Sequence, residues 1–297
     1  DYNNNLIRKH ENTRQVKEDD RTNHVIGIQA NSGPVFLTYK GNENLNNIIE
    51  DEMNKRPLFH FVAEDGVMHT GWRVEDEVGI SKACEAIDIA YVADGHHRSA
   101  SAARAAVALQ EKNPNHDGSE EYNWFLTVLF PAEQLKILPY NRVVADLNGK
   151  SPEEFIQKLM EIGDLIKTDV PTPTTTGSCC VYVGEEHGWL AFTFKDVNHS
   201  DPIASLDVDL LQQRILAPLL GIGDPRSDMR IDFVGGIRGT NALEKRVDSG
   251  KAAVAFSMYH TTIEQLLDVA DAGLIMPPKS TWFEPKLRSG LFVHELH

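Results

Sequence analysis

The sequence has no apolar run long enough to cross a bilayer as a helix, and the given residues show no cleavable signal. A membrane partner is therefore not expected. Cysteine is scarce: Cys84, Cys179 and Cys180 are the only three, too few and too oddly spaced for a disulfide framework or a metal-ligand pattern. They read as small strand residues in a reducing, cytoplasmic setting. Cations are short as well, because 29 Lys and Arg stand against 44 Asp and Glu, a net charge of -15. Nucleic-acid binding depends on neutralising phosphates with surplus Lys and Arg, so no nucleic-acid partner is expected. Standard nucleotide signatures are missing too. There is no Gly-x-x-x-x-Gly-Lys-(Ser/Thr) loop, no Gly-x-Gly-x-x-Gly after a strand and no protein-kinase catalytic loop. The run His10-Glu11-x-x-Arg14 lacks the second histidine of a zinc-protease helix.

What is present is concentrated at Asp94-Gly95-His96-His97-Arg98, between the apolar run Ile89-Ala90-Tyr91-Val92-Ala93 and an alanine-rich stretch. The Asp-Gly pair allows a sharp turn, and the alanines predict a helix over 96–110 that ends before Pro114. The free amides of a helix's first turn, followed at once by three cationic or hydrogen-donating side chains, make an anion site. Cations at a helix N-terminus oppose the macrodipole, so they belong there if something negative lies between them and it. Phosphate is the natural guest, and local cations in so acidic a chain are the more telling because the mean field repels anions.

The rest reads as mixed α and β. Strands are expected over 34–40, 124–130, 135–144, 231–234 and 252–258, and hairpins over 59–74 and 179–194. Helices are expected over 45–55, 152–166, 206–220, 241–248 and 262–271, the last stopped by Gly273. Residues 170–177, rich in Pro and Thr, are the best linker candidate. The segment from Arg8 to Arg21 is charged and too polar for core; Asp20 and Arg21 are expected to order it. Phe233-Val234-Gly235-Gly236-Ile237-Arg238-Gly239 has the wrong glycine spacing for a dinucleotide loop and reads as a tight turn. Asp207, Asp209, Asp224 and Asp228 read as solvated faces and loop caps.

Strand, Asp94-Gly95-His96-His97-Arg98, helix resembles the phosphate-binding element of the free serine kinases of the ParB/sulfiredoxin-like superfamily, and that of the long bacterial family called domain of unknown function 1015. Two further stretches match in order: Lys9-His10-Glu11, similar to the element that carries the kinase's catalytic base, and Pro278-Lys279-Ser280-Thr281, similar to its Pro-Lys-(Ser/Thr)-Thr loop. The long family adds His10-Glu11-x-Thr13, Asp20-Arg21, Pro34-Val35-Phe36 and the closing run from Met276 through Pro285 to Lys286, so the likeness spans nearly the whole chain. Two positions depart from the pattern: Ser99 stands where an aromatic residue usually follows the arginine, and Asn141 replaces a histidine in Pro139-Tyr140-Asn141-Arg142. The long family also carries a further N-terminal segment, expected to precede Asp1.

The resemblance implies a ParB-like α+β catalytic lobe over 1–150 and a second αβ lobe over 151–297 whose C-terminal loop returns to a shared cleft. It implies a nucleotide-dependent kinase acting on the hydroxyl of a small metabolite, with free L-serine the leading acceptor and ATP or ADP with Mg2+ as cofactors. Glu11 would be the general base. Asp94, Gly95, His96, His97 and Arg98 would hold the phosphates, Asp94 also touching the metal. His10, Lys279, Ser280 and Thr281 would act on the phosphoryl group or the substrate. A homo-oligomer is compatible with this reading. The alternatives are a nucleotide-binding and hydrolysing switch protein, and a phosphatase on a phosphorylated metabolite.

Overall fold

A computed structural model describes residues 1–284 and 286–297; Pro285 of the closing run lies outside the described residues. The chain forms two compact units, one of residues 1–135 with 286–297, the other of residues 136–284. The boundary expected at residue 150 falls inside the second unit, because the strand Tyr140–Val144 belongs to that unit's sheet. Both units mix helix and strand, as the sequence implied.

The first unit is built on a four-stranded sheet in the order Ile7–Arg8, Ala90–Asp94, Val35–Tyr39, Thr127–Pro131. Its outer pairings are parallel and the central one is antiparallel. Tyr39, Tyr91 and Val92 of the two middle strands are almost wholly buried, as strands covered on both faces should be. The chain leaves Asp94 through Gly95, whose φ of 103° is a conformation that only glycine takes easily, and enters the helix His96–Gln110. Alanine on this helix keeps it slim; Ala100, Ala102 and Ala105 are buried.

Against it packs the helix Gln15–Ile28, which the sequence reading treated only as a charged stretch. Arg104 joins the two helices through Glu18 at 3.2 Å and Asp19 at 2.7 Å, and Ser101 Oγ donates to the Glu18 carbonyl at 3.2 Å. The helix Glu77–Glu85 was not expected either, and it carries Cys84, which is therefore exposed on a helix and not placed in a strand. Residues 286–297 join this unit, where His294–Glu295 pairs with Ala30–Asn31.

The second unit has a six-stranded sheet, antiparallel throughout, in the order Gly163–Thr168, Trp189–Phe194, Ser178–Tyr182, Val254–Met258, Tyr140–Val144, Ile231–Gly235. Residues 170–177 connect two strands of this one sheet and are not a linker between units. The helix expected over 152–166 starts with a capping box at Ser151 and Glu154 but stops at Ile162. Gly163 opens a strand instead, and a Cβ there would meet the Phe192 ring at 2.2 Å, so only glycine permits this approach. The helix expected over 206–220 is α-helical over Asp207–Leu211 and turns π-helical over Gln212–Leu216.

Candidate functional site

The short strand Ile7–Arg8 pairs in parallel with Ala90–Asp94, so the segments following the two strands leave the sheet at the same end. That register brings His10-Glu11 beside the start of the helix His96–Gln110. His10 is completely buried, with its ring edge-on to His96 at 4.4 Å between centroids. Its main-chain N–H donates to His96 Nε2 at 3.5 Å, and His96 Nδ1 lies 3.7 Å from a Glu11 carboxylate oxygen. A ring nitrogen that accepts carries no proton, so His96 is the neutral tautomer with its N–H toward Glu11. Burial drives the His96 pKa down to about 4, against the pull of Asp94, and pushes His10 well below the ordinary histidine value. Glu11 itself stays partly exposed, within reach of a solvent-borne molecule.

His97 faces the next segment, where its Nε2 accepts the main-chain N–H of Arg14 at 3.1 Å. Burial, then the charges of Arg21, Arg14 and Lys17, hold its pKa down, against Glu18. Of the two roles the sequence leaves open, cation or hydrogen-bonding group, the two histidines take the second at pH 7, and the positive charge is carried by arginines.

Arg98 is the centre of that charge. Its guanidinium folds back over Gly95, where a Cβ would meet Nε and Nη2 at 3.0 Å, and reaches toward Gly33. Nε is buried and has no hydrogen-bond partner among the described residues. Arg98 shares a cavity of about 120 Å³ with Arg21, His24, Ser32 and Ser289. Burial lowers the Arg98 pKa, Asp94 raises it, and Arg21 lowers it further, as like charges held close must. Two guanidiniums, hydroxyls and an unused buried donor in a space of this size suit a tetrahedral oxyanion. Asp94, at the strand end, is engaged by Lys286 Nζ at 3.2 Å.

The sequence gives Arg21 a structural role and Lys286 a place at the end of the closing run, and nothing in it marks His24, Ser32 or Ser289. They come from segments scattered along the chain, so no spacing could announce them; only the Asp20-Arg21 and closing-run likenesses pointed nearby. Of the two departures, Ser99 is fully buried with Oγ donating to the carbonyl of His96 at 3.0 Å, so this position offers no surface for stacking. Asn141 is buried in the second sheet and accepts the Met258 N–H at 2.9 Å.

Lys279, Ser280 and Thr281 lie in the second unit. Lys279 has a left-handed φ of 59° and sits over the Tyr140 ring at 5.2 Å, its Nζ 3.4 Å from the Tyr140 hydroxyl. Its carbonyl accepts from Arg142 Nη2 at 3.0 Å. Ser280 is buried, donating to the Pro277 carbonyl at 2.7 Å while its own carbonyl accepts from Thr261 at 2.8 Å, and Thr281 is half-buried. The loop is thus held from several sides with the Lys279 side chain outward. Gly235 packs under Trp282, whose ring a Cβ would meet at 2.9 Å, in keeping with the tight turn expected there. Asp207 is not solvated as expected: it is buried and accepts the N–H groups of Gly177 at 2.6 Å and Ser178 at 3.0 Å.

Among the described residues no helix is long and apolar enough to cross a membrane, and no group of three or more His, Cys, Asp or Glu could hold a metal ion. A magnesium ion here would have the one carboxylate of Asp94, which Lys286 also engages; a single protein carboxylate is compatible with an ion that keeps several of its waters.

Comparison with solved structures finds SbnI with a C-terminal truncation from Staphylococcus aureus at 12% identity and a TM-score of 0.48, covering 97% of this chain and 84% of that one. A mutant free serine kinase in complex with ADP matches at 14% identity and 0.42, covering 96% and 88%. A conserved hypothetical protein from Pyrococcus furiosus matches at 13% and 0.40, covering 96% and 91%. Scores this low assign no activity. No curated protein matches the chain. A family model does match, over residues 1–209, which include the His10-Glu11 segment and the whole turn from Asp94 to Arg98; the chain belongs to the family described as protein of unknown function (DUF1015).

Proposed function

We propose that the chain is a nucleotide-dependent phosphotransferase that phosphorylates the hydroxyl of a small metabolite, with free L-serine the first acceptor to test. The observation that carries the reading is the Arg98 guanidinium, its Nε buried without a partner in a cavity shared with Arg21 and hydroxyl side chains. Two arginines pressed together cost stability unless an anion joins them, and phosphoryl transfer is catalysis by positioning and by charge. ATP or ADP supplies that anion. Its phosphates lie against the amides that follow Gly95, with Arg98 and Arg21 on their oxygens.

Glu11 takes the proton of the attacking hydroxyl. It is partly open to solvent, and the neutral His96 behind it donates rather than competes for that proton. His10, wholly buried, acts through His96 by fixing the position of the ring. Magnesium, held by Asp94 and the phosphates, would spread the charge developing on the transferred group. For Lys279, Ser280 and Thr281 the proposed role is on the phosphoryl group or the substrate; its support is the likeness of their motif to the serine-kinase loop. The acceptor's identity likewise rests on motif likeness.

The test is multiple turnover. The protein is incubated with magnesium, ATP or ADP and a pool of hydroxyl metabolites that includes L-serine, and products are read by mass spectrometry. A metabolite gaining a phosphoryl group over many turnovers is the expected result. Nucleotide binding with no phosphorylated product would move the reading to a nucleotide-gated switch.

A further inference from the structure

The second unit holds a cavity of about 290 Å³ whose lining includes Arg142, Asp209, Gln212, Arg226 and Phe233. Arg142 projects from the strand Tyr140–Val144, which lies between Val254–Met258 and the edge strand Ile231–Gly235, and is only 3% exposed. Its Nη1 donates to the Tyr140 carbonyl and its Nη2 to the Lys279 carbonyl at 3.0 Å, and the Phe233 ring lies 5.5 Å away. Carbonyls and a ring satisfy hydrogen bonds but do not neutralise a charge. Among the described residues no carboxylate pairs with Arg142, and burial pushes its pKa down to about 9. A buried cation without a countercharge is costly, and such a group lining a cavity is a candidate for binding a ligand that supplies the missing charge.

Gln212 begins the π-helical turn Gln212–Leu216, a distortion frequent at functional sites. Its Nε2 donates to the carbonyls of Ile222 at 2.8 Å and Gly223 at 3.2 Å, which fixes the amide's orientation, since a carbonyl needs a donor. Gln212 Oε1 is buried and has no partner. Asp209 adds a carboxylate that burial, first of all, makes harder to ionise; Gln213 donates to it at 3.2 Å. The lining thus joins an uncompensated cation to one acceptor that lacks a donor, Gln212 Oε1, with the Asp209 carboxylate beside them. A dianionic phosphate would suit Arg142 and clash with Asp209. The volume admits a molecule of a few heavy atoms.

The geometry points to a binding site for a small organic acid, its carboxylate held by Arg142 and its hydroxyl or ammonium group turned to Gln212 and Asp209. This inference does not rest on phosphoryl transfer in the first unit. It assigns to the second unit the recognition of a hydroxy acid or amino acid.

Calorimetric titration of the full chain with acetate, glycolate, glycine and inorganic phosphate tests it. Glycolate or glycine should bind about tenfold more tightly than acetate, which lacks the donor, and Gln212→Leu should shrink that preference. Arg142→Met should weaken binding by about tenfold to a hundredfold, as loss of a charged hydrogen bond does. Circular dichroism shows whether that variant folds. If it does not, Ile203→Trp, at another residue of the lining, keeps Arg142, fills the cavity and should abolish glycolate and glycine binding. No heat with either acid, or unchanged affinity in a folded Arg142→Met or in Ile203→Trp, overturns the assignment. So does a site that Arg142→Met removes but that takes phosphate alone. Phosphate binding that survives Arg142→Met belongs instead to the cavity around Arg98.

Discussion

His97 Nε2 accepts the main-chain N–H of Arg14 at 3.1 Å across 83 positions of sequence. One neutral ring thereby pins the segment carrying Glu11 to the helix start that carries Arg98. Removing the acceptor leaves a main-chain donor to find water, so His97→Leu should cost about 1 kcal/mol in urea unfolding. Turnover should fall more than nucleotide affinity, because the bond positions Glu11 rather than the phosphate. Equal losses in both would remove this division of labour.

Arg98 and Arg21 repel one another while the cavity they share holds no anion. Arg21→Gln should therefore leave the nucleotide-free protein as stable as before or slightly more so, while weakening nucleotide binding by about tenfold. Arg98→Ala should weaken binding by about tenfold to a hundredfold, because Arg98 is the more buried of the two. Fluorescence titration with ADP measures both. Unchanged affinity in a folded Arg98→Ala protein would take phosphate binding out of the account.

Much of this site was legible because its signals are local. A glycine at a left-handed φ, an apolar strand before it and a run of alanines after it specify turn and helix without any tertiary information. The helix Gln15–Ile28 was hidden for the opposite reason. Thr22 is its one buried residue and no side chain caps its start, so it has neither period nor signal, and it is held by Arg104 from another helix. The end of the helix at Ile162 was hidden by Leu165 and Ile166, whose apolar character suits a strand as well as a helix; pairing with Trp189–Phe194 decides between them. Arg142 carried no sign of its burial beyond lying among strand-forming residues.

The two units should respond to pH in opposite directions. The folded state lowers His96 from 6.5 to about 4, so between those values the unfolded chain binds a proton that the folded chain refuses. The stability of the first unit is then fully present above pH 6.5 and declines by up to about 3 kcal/mol as pH falls toward 4. In the second unit burial raises Asp207 from 3.8 to about 7, so the folded form keeps a proton that the unfolded form releases. Its stability declines as pH rises from about 4 to about 7. Hydrogen exchange at pH 5 and 7, corrected for intrinsic rates, should show protection of Ala90–Asp94 rising with pH and that of Ser178–Tyr182 falling. Asp207→Asn should flatten the second trend and leave the first.

Glu11 divides an enzyme from a switch. A carboxylate whose work is to accept the substrate's proton stabilises the transition state and contributes little to nucleotide binding, so Glu11→Gln should leave ADP affinity nearly intact. Formation of the phosphorylated metabolite should slow roughly a hundredfold to ten-thousandfold, the usual scale of a lost general base. His96 sharpens the experiment, because its N–H faces the same carboxylate at 3.7 Å and would face the amide oxygen of the variant equally well. The shape of the site is therefore kept while its basicity is lost. Full activity in Glu11→Gln would send the search for the base to Asp94, whose carboxylate is paired with Lys286. Loss of nucleotide binding together with turnover would instead make Glu11 a part of the phosphate site.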